Sequence, residues 1–132
     1  MNFWKTSAKM DDHKIKIAIP AYDGKIMDHV GICPFYIIYT VGFGNIIKEE
    51  TFTVPDNSLN CANIALLLAQ KGVQILLAGK IETEEIELLI FHGIKVYFNC
   101  AGSVNEVVKI FLEGELADLE WKENGFSKNS NN

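Results

Sequence analysis

The sequence contains no arginine at all: its 12 basic residues are lysines, set against 17 Asp and Glu, for a net charge of −5. Nucleic-acid recognition leans on clustered Arg and Lys facing phosphates, so this balance argues against a DNA or RNA partner. Cysteine is sparse. Cys33, Cys61 and Cys100 are odd in number, widely spaced and include no CxxC pair. That excludes a sequence-local zinc or redox motif and makes a poor disulfide framework. Taken singly, each reads first as a buried thiol that packs as a small hydrophobe. No apolar run is long enough to span a bilayer. Met1 to Lys14 lacks the apolar centre of a secretory signal, so the expected location is cytoplasmic, with no membrane partner. There is no P-loop and no GxGxxG.

What is present is core-forming material: 48% of the 132 residues are hydrophobic and 22% charged, enough for one domain. The expected folded body runs over 14–121, with flexible tails at 1–13 and at the Asn- and Ser-rich 122–132. Alternating Ile15, Ile17 and Ile19 predict a strand ending at Pro20. Ala21 to Cys33 reads as a long loop. Strands are expected near 35–41 and 46–54, joined by a turn at Gly42, Gly44 and Asn45. The period then changes: helices are expected at 61–71, 84–92 and 104–113, alternating with strands at 73–78 and 94–98. Thr83 is a plausible N-cap, and Ser103 with Glu106 makes a capping box. Ile17, Ile19, Leu66, Leu76, Val96, Val108 and Phe111 are the expected core.

This order, β-β-β-α-β-α-β-α, predicts an α/β fold with a mixed five-stranded sheet in which the second strand runs antiparallel to the rest. The carboxyl ends of the other four strands then share one edge, where open α/β sheets bind ligands. Separate loops bring His29 and Cys33, then Cys61, then Gly79 and Lys80, then Cys100 and Gly102 to that edge. Thiolate and imidazole suit iron, zinc and iron–sulfur clusters. The N-termini of the three helices face the same way and favour an anion, and Lys80 adds a cation. The expectation is that His29, Cys33, Cys61 and Cys100 gather as metal ligands in one pocket, with Gly31, Gly79 and Lys80 beside them. The plainer readings are a solvated Lys80, an unliganded loop His29, and glycines placed for positive φ at Gly79 and Gly102.

The segments KIAIP, DHVGICPFYIIY, LLAQKGVQILLAGKI, GIKVY and FLEGEL, in this order and spacing, resemble the dinitrogenase iron–molybdenum cofactor biosynthesis family, which includes NifX-type carriers and the C-terminal part of NifB-type proteins. The resemblance runs from about Lys14 to Leu116. It implies an RNase H-like, three-layer α/β/α fold. It also implies a non-catalytic carrier of an iron–sulfur or iron–molybdenum type cluster or its precursor, with cluster donor or acceptor proteins as partners. His29 and Gly31 match the family's first-loop pattern, whereas Val30 stands for its aromatic residue and Ile32 for its arginine. The family's His- and Gly-rich stretch is here DNSLNCAN, where Cys61 either substitutes as a ligand or marks a lost site.

Two other readings compete. A metal-dependent nuclease needs convergent carboxylates; the first strand offers none, and Asp23, Asp28 and Asp56 lie in loops. A Cys33 nucleophile with a His29 base would lack a third orienting group. The other competitor is a metal-free adaptor or regulatory protein that retains the fold but has lost cluster binding.

Overall fold

The computed structural model describes residues 14–114 and 122–123. The chain runs β1 (Lys14–Tyr22), β2 (Lys25–Ile26), β3 (Phe35–Gly42), β4 (Asn45–Thr53), α1 (Cys61–Gln70), β5 (Ile75–Leu77), α2 (Thr83–Phe91), β6 (Lys95–Phe98), α3 (Val104–Leu112) and β7 (Lys122–Glu123). Short 3-10 turns lie at Val30–Ile32 and Asp56–Ser58.

Five strands form the body of a mixed sheet in the order β4-β3-β1-β5-β6. β3 runs antiparallel to β1 and β4, while β1, β5 and β6 are parallel. This is the strand arrangement that the hairpin and the crossover helices demand. Two small additions were not legible. β2 turns back on β1 across Asp23 and Gly24, whose φ angles of 55° and 77° make the tight two-residue hairpin that an Asp-Gly pair favours. The segment read as a long loop thus begins as a ribbon. Lys122–Glu123, placed by composition in a flexible tail, pairs with β6; the other residues of both expected tails lie outside those described.

β1 does not stop at Pro20. It continues to Tyr22, and Pro20 pairs with Tyr36 of β3. The last β1 residue paired with β5 is Ala18, so the missing N–H of Pro20 costs the ladder nothing on that side.

Alternate residues of the central strands point to two cores. Ala18, Tyr36, Ile38, Leu76 and Val96 face α1 and α2, where Ile64, Leu68 and Leu89 are buried. Ile17, Ile19, Tyr39 and Leu77 face α3 through Val104, Val107 and Val108. The layers are therefore helices, sheet, helix. Two core expectations need correcting. Leu66 is 42% exposed. Helix α1 is apolar nearly all round, so the sequence does not mark its inner face; Ile64, Ala65 and Leu68 take it, and Leu66 falls on the opposite side. Phe111 is only half-buried, packed edge-on against Tyr97 with ring centroids 5.8 Å apart. The N-cap of α2 is Glu82 rather than Thr83, because Glu85 reaches back to the Glu82 N–H at 2.8 Å.

Candidate functional site at the carboxyl edge of the sheet

The loops after β1, β5 and β6 meet at the carboxyl edge and are tied together by backbone hydrogen bonds. The Gly79 N–H donates to the Met27 carbonyl at 3.1 Å, and the His29 N–H to the Lys80 carbonyl at 2.7 Å. Asp28 completes this clamp, its Oδ1 accepting from the Lys80 N–H at 2.7 Å. On the other side the Asn99 N–H donates to the Gly79 carbonyl and the Cys100 N–H to the Ala78 carbonyl, both at 2.9 Å. The β1–β2 ribbon closes the flank: the Val104 N–H at the start of α3 donates to the Gly24 carbonyl at 2.9 Å.

Between these loops lies a cleft of about 470 Å3 lined by Asp28, Gly79, Lys80, Asn99, Cys100 and Ala101. Asn99 is held at φ 66° and His29 at φ 58°. Both are residues outside hairpin turns in a conformation that costs energy unless the surroundings impose it. The Lys80 ammonium forms no ion pair among the described residues.

Gly79 is needed for space, not for positive φ. A Cβ there would run into the Asp28 carboxylate and lie 3.2 Å from the Met27 carbonyl oxygen. Gly102, in contrast, does adopt a positive φ, of 109°. Gly79→Ala is therefore expected to open the clamp and cost about 1–3 kcal/mol. Urea unfolding checks the loss, and accelerated exchange of the His29 amide checks its cause. An unchanged midpoint would show that the clamp does not hold this edge together.

The expected gathering of four metal ligands does not occur. Cys33 is 4% exposed in the core under α1 and α2, its Sγ donating to the Phe35 carbonyl at 3.2 Å. Cys100 is 5% exposed in the core under α3, its Sγ 3.6 Å from the Tyr97 carbonyl. The two thiols are thus on opposite faces of the sheet. The reason is local. The 3-10 turn Val30–Ile32 delivers Cys33 to one face, and Asn99 turns the chain at the end of β6 so that Cys100 follows Leu77 on the other.

His29 and Cys61 stay with the Cys33 side and converge on Glu85. His29 Nδ1 is 3.6 Å from Glu85 Oε1, and Cys61 Sγ is 3.8 Å from the Glu85 carbonyl oxygen. Glu85 Oε2 also accepts from the Gly31 N–H at 3.0 Å. Gly31 lies beside them: a Cβ there would make ordinary contacts, 3.4 Å from Glu85 Oε2 and 3.5 Å from the Cys61 nitrogen. His29 and Cys33, although they share a loop, engage different groups. Among the described residues, no set of three or more His, Cys, Asp or Glu side chains is arranged to hold a metal ion.

The thiols are also chemically quiet. Burial pushes Cys100 up to about 12. Burial, followed by the Glu85 carboxylate, pushes Cys61 up to about 11. Burial raises Cys33 as well. A thiol must lose its proton to ligate metal or react, so at neutral pH all three are in the inert form.

Asp28, Glu85 and Asn99 were not among the residues expected at the site. The signals were faint: Asp28 adjoins His29, Glu85 lies in the first turn of a helix that starts from this edge, and Asn is a residue that tolerates positive φ. Among the described residues, no helix is long and apolar enough to cross a membrane.

Known proteins with similar sequences and folds agree with this architecture. An uncharacterised protein of Methanocaldococcus jannaschii is 28% identical over 109 residues, covering 80% of this chain and 92% of its own. The crystal structure of a candidate dinitrogenase from the same organism superposes with a TM-score of 0.65 at 15% identity, covering 83% of this chain and 94% of the other; that likeness is one of fold. The NMR structure of a candidate NifB protein from Thermotoga gives a TM-score of 0.60 at 27% identity, covering 85% and 95% of the two chains. The sequence profile of the dinitrogenase iron–molybdenum cofactor family matches residues 13–114, and the chain belongs to that family.

Proposed function

We propose that this protein is a non-catalytic, cytoplasmic carrier of an anionic metal–sulfur cluster, of iron–sulfur or iron–molybdenum type, or of its precursor. It would receive the cluster from one protein and pass it to another. Family membership supports this reading, and so does the Thermotoga relative described as a candidate NifB protein. With it goes the RNase H-like classification that the resemblance implies.

The observation that carries the proposal is the cleft at the carboxyl edge, with a Lys80 ammonium that forms no ion pair among the described residues and, of the three cysteines, Cys100 alone among its lining residues. A ligand cage of several thiolates does not fit these residues, because Cys33 and Cys100 lie in separate cores. An anion held by the Lys80 charge, the Asn99 carboxamide and backbone groups of the β5 and β6 loops fits them better. Cys100 is then at most a single ligand whose proton must leave on binding. The cluster is cargo, and its redox and spectroscopic properties are its own.

The protection of all three thiols favours the second reading, a metal-free adaptor on the same fold. Anaerobic incubation with iron and sulfide, with and without thiomolybdate, separates the two. The carrier reading expects charge-transfer absorption and an electron paramagnetic resonance signal on the recovered protein. It also expects Lys80→Gln, at an exposed position, to weaken uptake about tenfold. A wild-type chain that stays colourless overturns the carrier in favour of the adaptor.

A further inference from the structure

A different cavity, of about 410 Å3, lies between α3 and the β3–β4 hairpin. It has none of the lining residues of the carboxyl-edge cleft. Its lining comes from one side of α3, from Asn105 to Glu113, and from the hairpin whose Gly42 pairs with Lys14 at the start of β1. The volume is that of a pocket for one small molecule.

Three features of its wall suit a ligand. The first is Tyr39, which lines the cavity, is 3% exposed and packs its ring in the core under α3. Its hydroxyl makes no hydrogen bond among the described residues. That hydroxyl is not shut off from solvent, so it is open to a polar group in the cavity. Burial and the nearby Glu49 carboxylate keep it protonated, so it can donate. The second feature is charge of both signs. Glu49 and Glu113 supply carboxylates and Lys109 an ammonium, and none of the three forms an ion pair among the described residues. The third is an apolar wall of Ile46, Val108 and Leu112.

We propose that this cavity binds a small amphipathic zwitterion of the apolar α-amino acid class. The ligand's ammonium faces Glu49 and Glu113, its carboxylate faces Lys109, the Tyr39 hydroxyl hydrogen-bonds its polar head, and its aliphatic side chain covers Ile46, Val108 and Leu112. A simple organic anion would meet two carboxylates, and a simple amine would meet the lysine. A molecule bearing both charges complements both kinds of group. The proposal is independent of cluster carriage, since no described residue is shared between the two cavities.

Isothermal titration calorimetry of the full chain with L-leucine, isocaproate and isoamylamine tests it. Leucine is expected to bind saturably at one site, and the two analogues, each lacking one charge, at least about tenfold more weakly. Lys109→Gln and Glu49→Gln, both at exposed positions, are expected to weaken leucine binding about tenfold without changing the thermal midpoint. Tyr39→Phe should weaken it too, while Lys80→Gln in the other cleft should leave it intact. The amide chemical shifts that move on titration should be those of β3, β4 and α3. The proposal is overturned if leucine gives neither heat nor thermal stabilisation, if isoamylamine binds as tightly as leucine, or if Lys109→Gln binds leucine like the wild type.

Discussion

Replacing Tyr36 with alanine is expected to cost about 3–5 kcal/mol, the range for removing a buried aromatic ring. Tyr36 is 0% exposed, sits on β3 in the core beneath α1 and α2, and donates its hydroxyl to the Val30 carbonyl at 3.0 Å. It is therefore a core residue and also the post on which the turn between His29 and Cys33 rests. Tyr36→Phe separates the two roles. It keeps the ring and removes only the hydroxyl bond, and Val30 still accepts from the Cys33 N–H at 3.4 Å. Its expected cost is about 1 kcal/mol. Urea unfolding of both variants measures the difference. A phenylalanine variant as unstable as the alanine one would show that the hydroxyl, not the ring, dominates.

The second large effect is alkaline. Folding carries the Cys100 thiol from its ordinary 9.0 up to about 12, chiefly by burial, which backbone hydrogen bonding at Ala78 and Cys100 only partly opposes. Below the unfolded value both states hold the proton, and pH has no leverage through this group. Between 9.0 and about 12 the unfolded chain ionises while the folded thiol stays protonated. The unfolded state then binds fewer protons, so stability falls as pH rises, by about 1.4 kcal/mol per pH unit from this group. Cys61, raised to about 11, adds a smaller loss in the same direction. Cys100→Ala should show a shallower decline above pH 9 than the wild type when stability is followed by denaturant titration across that range. Parallel curves would mean that Cys100 is reached by water.

Beneath both predictions is one structural fact, the assignment of each side chain to a face of the sheet. Tyr36 and Cys33 belong to the face covered by α1 and α2, and Cys100 to the face covered by α3. A pocket that drew all three thiols together would need side chains to cross the sheet. The edge is instead built from backbone: the Met27–His29 segment laid against Gly79 and Lys80, with Asp28 as the side-chain brace. Glu85 does the same for the other half of the loop, joining Gly31 to the first turn of α2. What the edge offers a ligand is therefore mainly oriented peptide groups and one lysine.

Much of this was written in the sequence. The β3–β4 hairpin, the alternation of strand and helix after Cys61 and the capping box of Ser103 and Glu106 determined element order and strand direction. Each rests on local chemistry: turn residues, side-chain period, and a serine that accepts the Glu106 N–H at 3.2 Å. The convergence of four loops on one edge followed from strand direction alone. Which face each side chain took did not. In a strand the face alternates with every residue, so one turn of uncertain phase reverses it. The 3-10 turn before Cys33 and the positive φ of Asn99 before Cys100 are two such turns. Helix α1, apolar nearly all round, carried no mark of its inner side, and only packing against β3 and β5 put Ile64 and Leu68 in and Leu66 out. The Tyr39 cavity lay beyond reach for the same reason. It joins residues from β3, β4 and α3 that are up to 74 positions apart, Tyr39 to Glu113, and only the closing of helix over sheet sets their charges around one space.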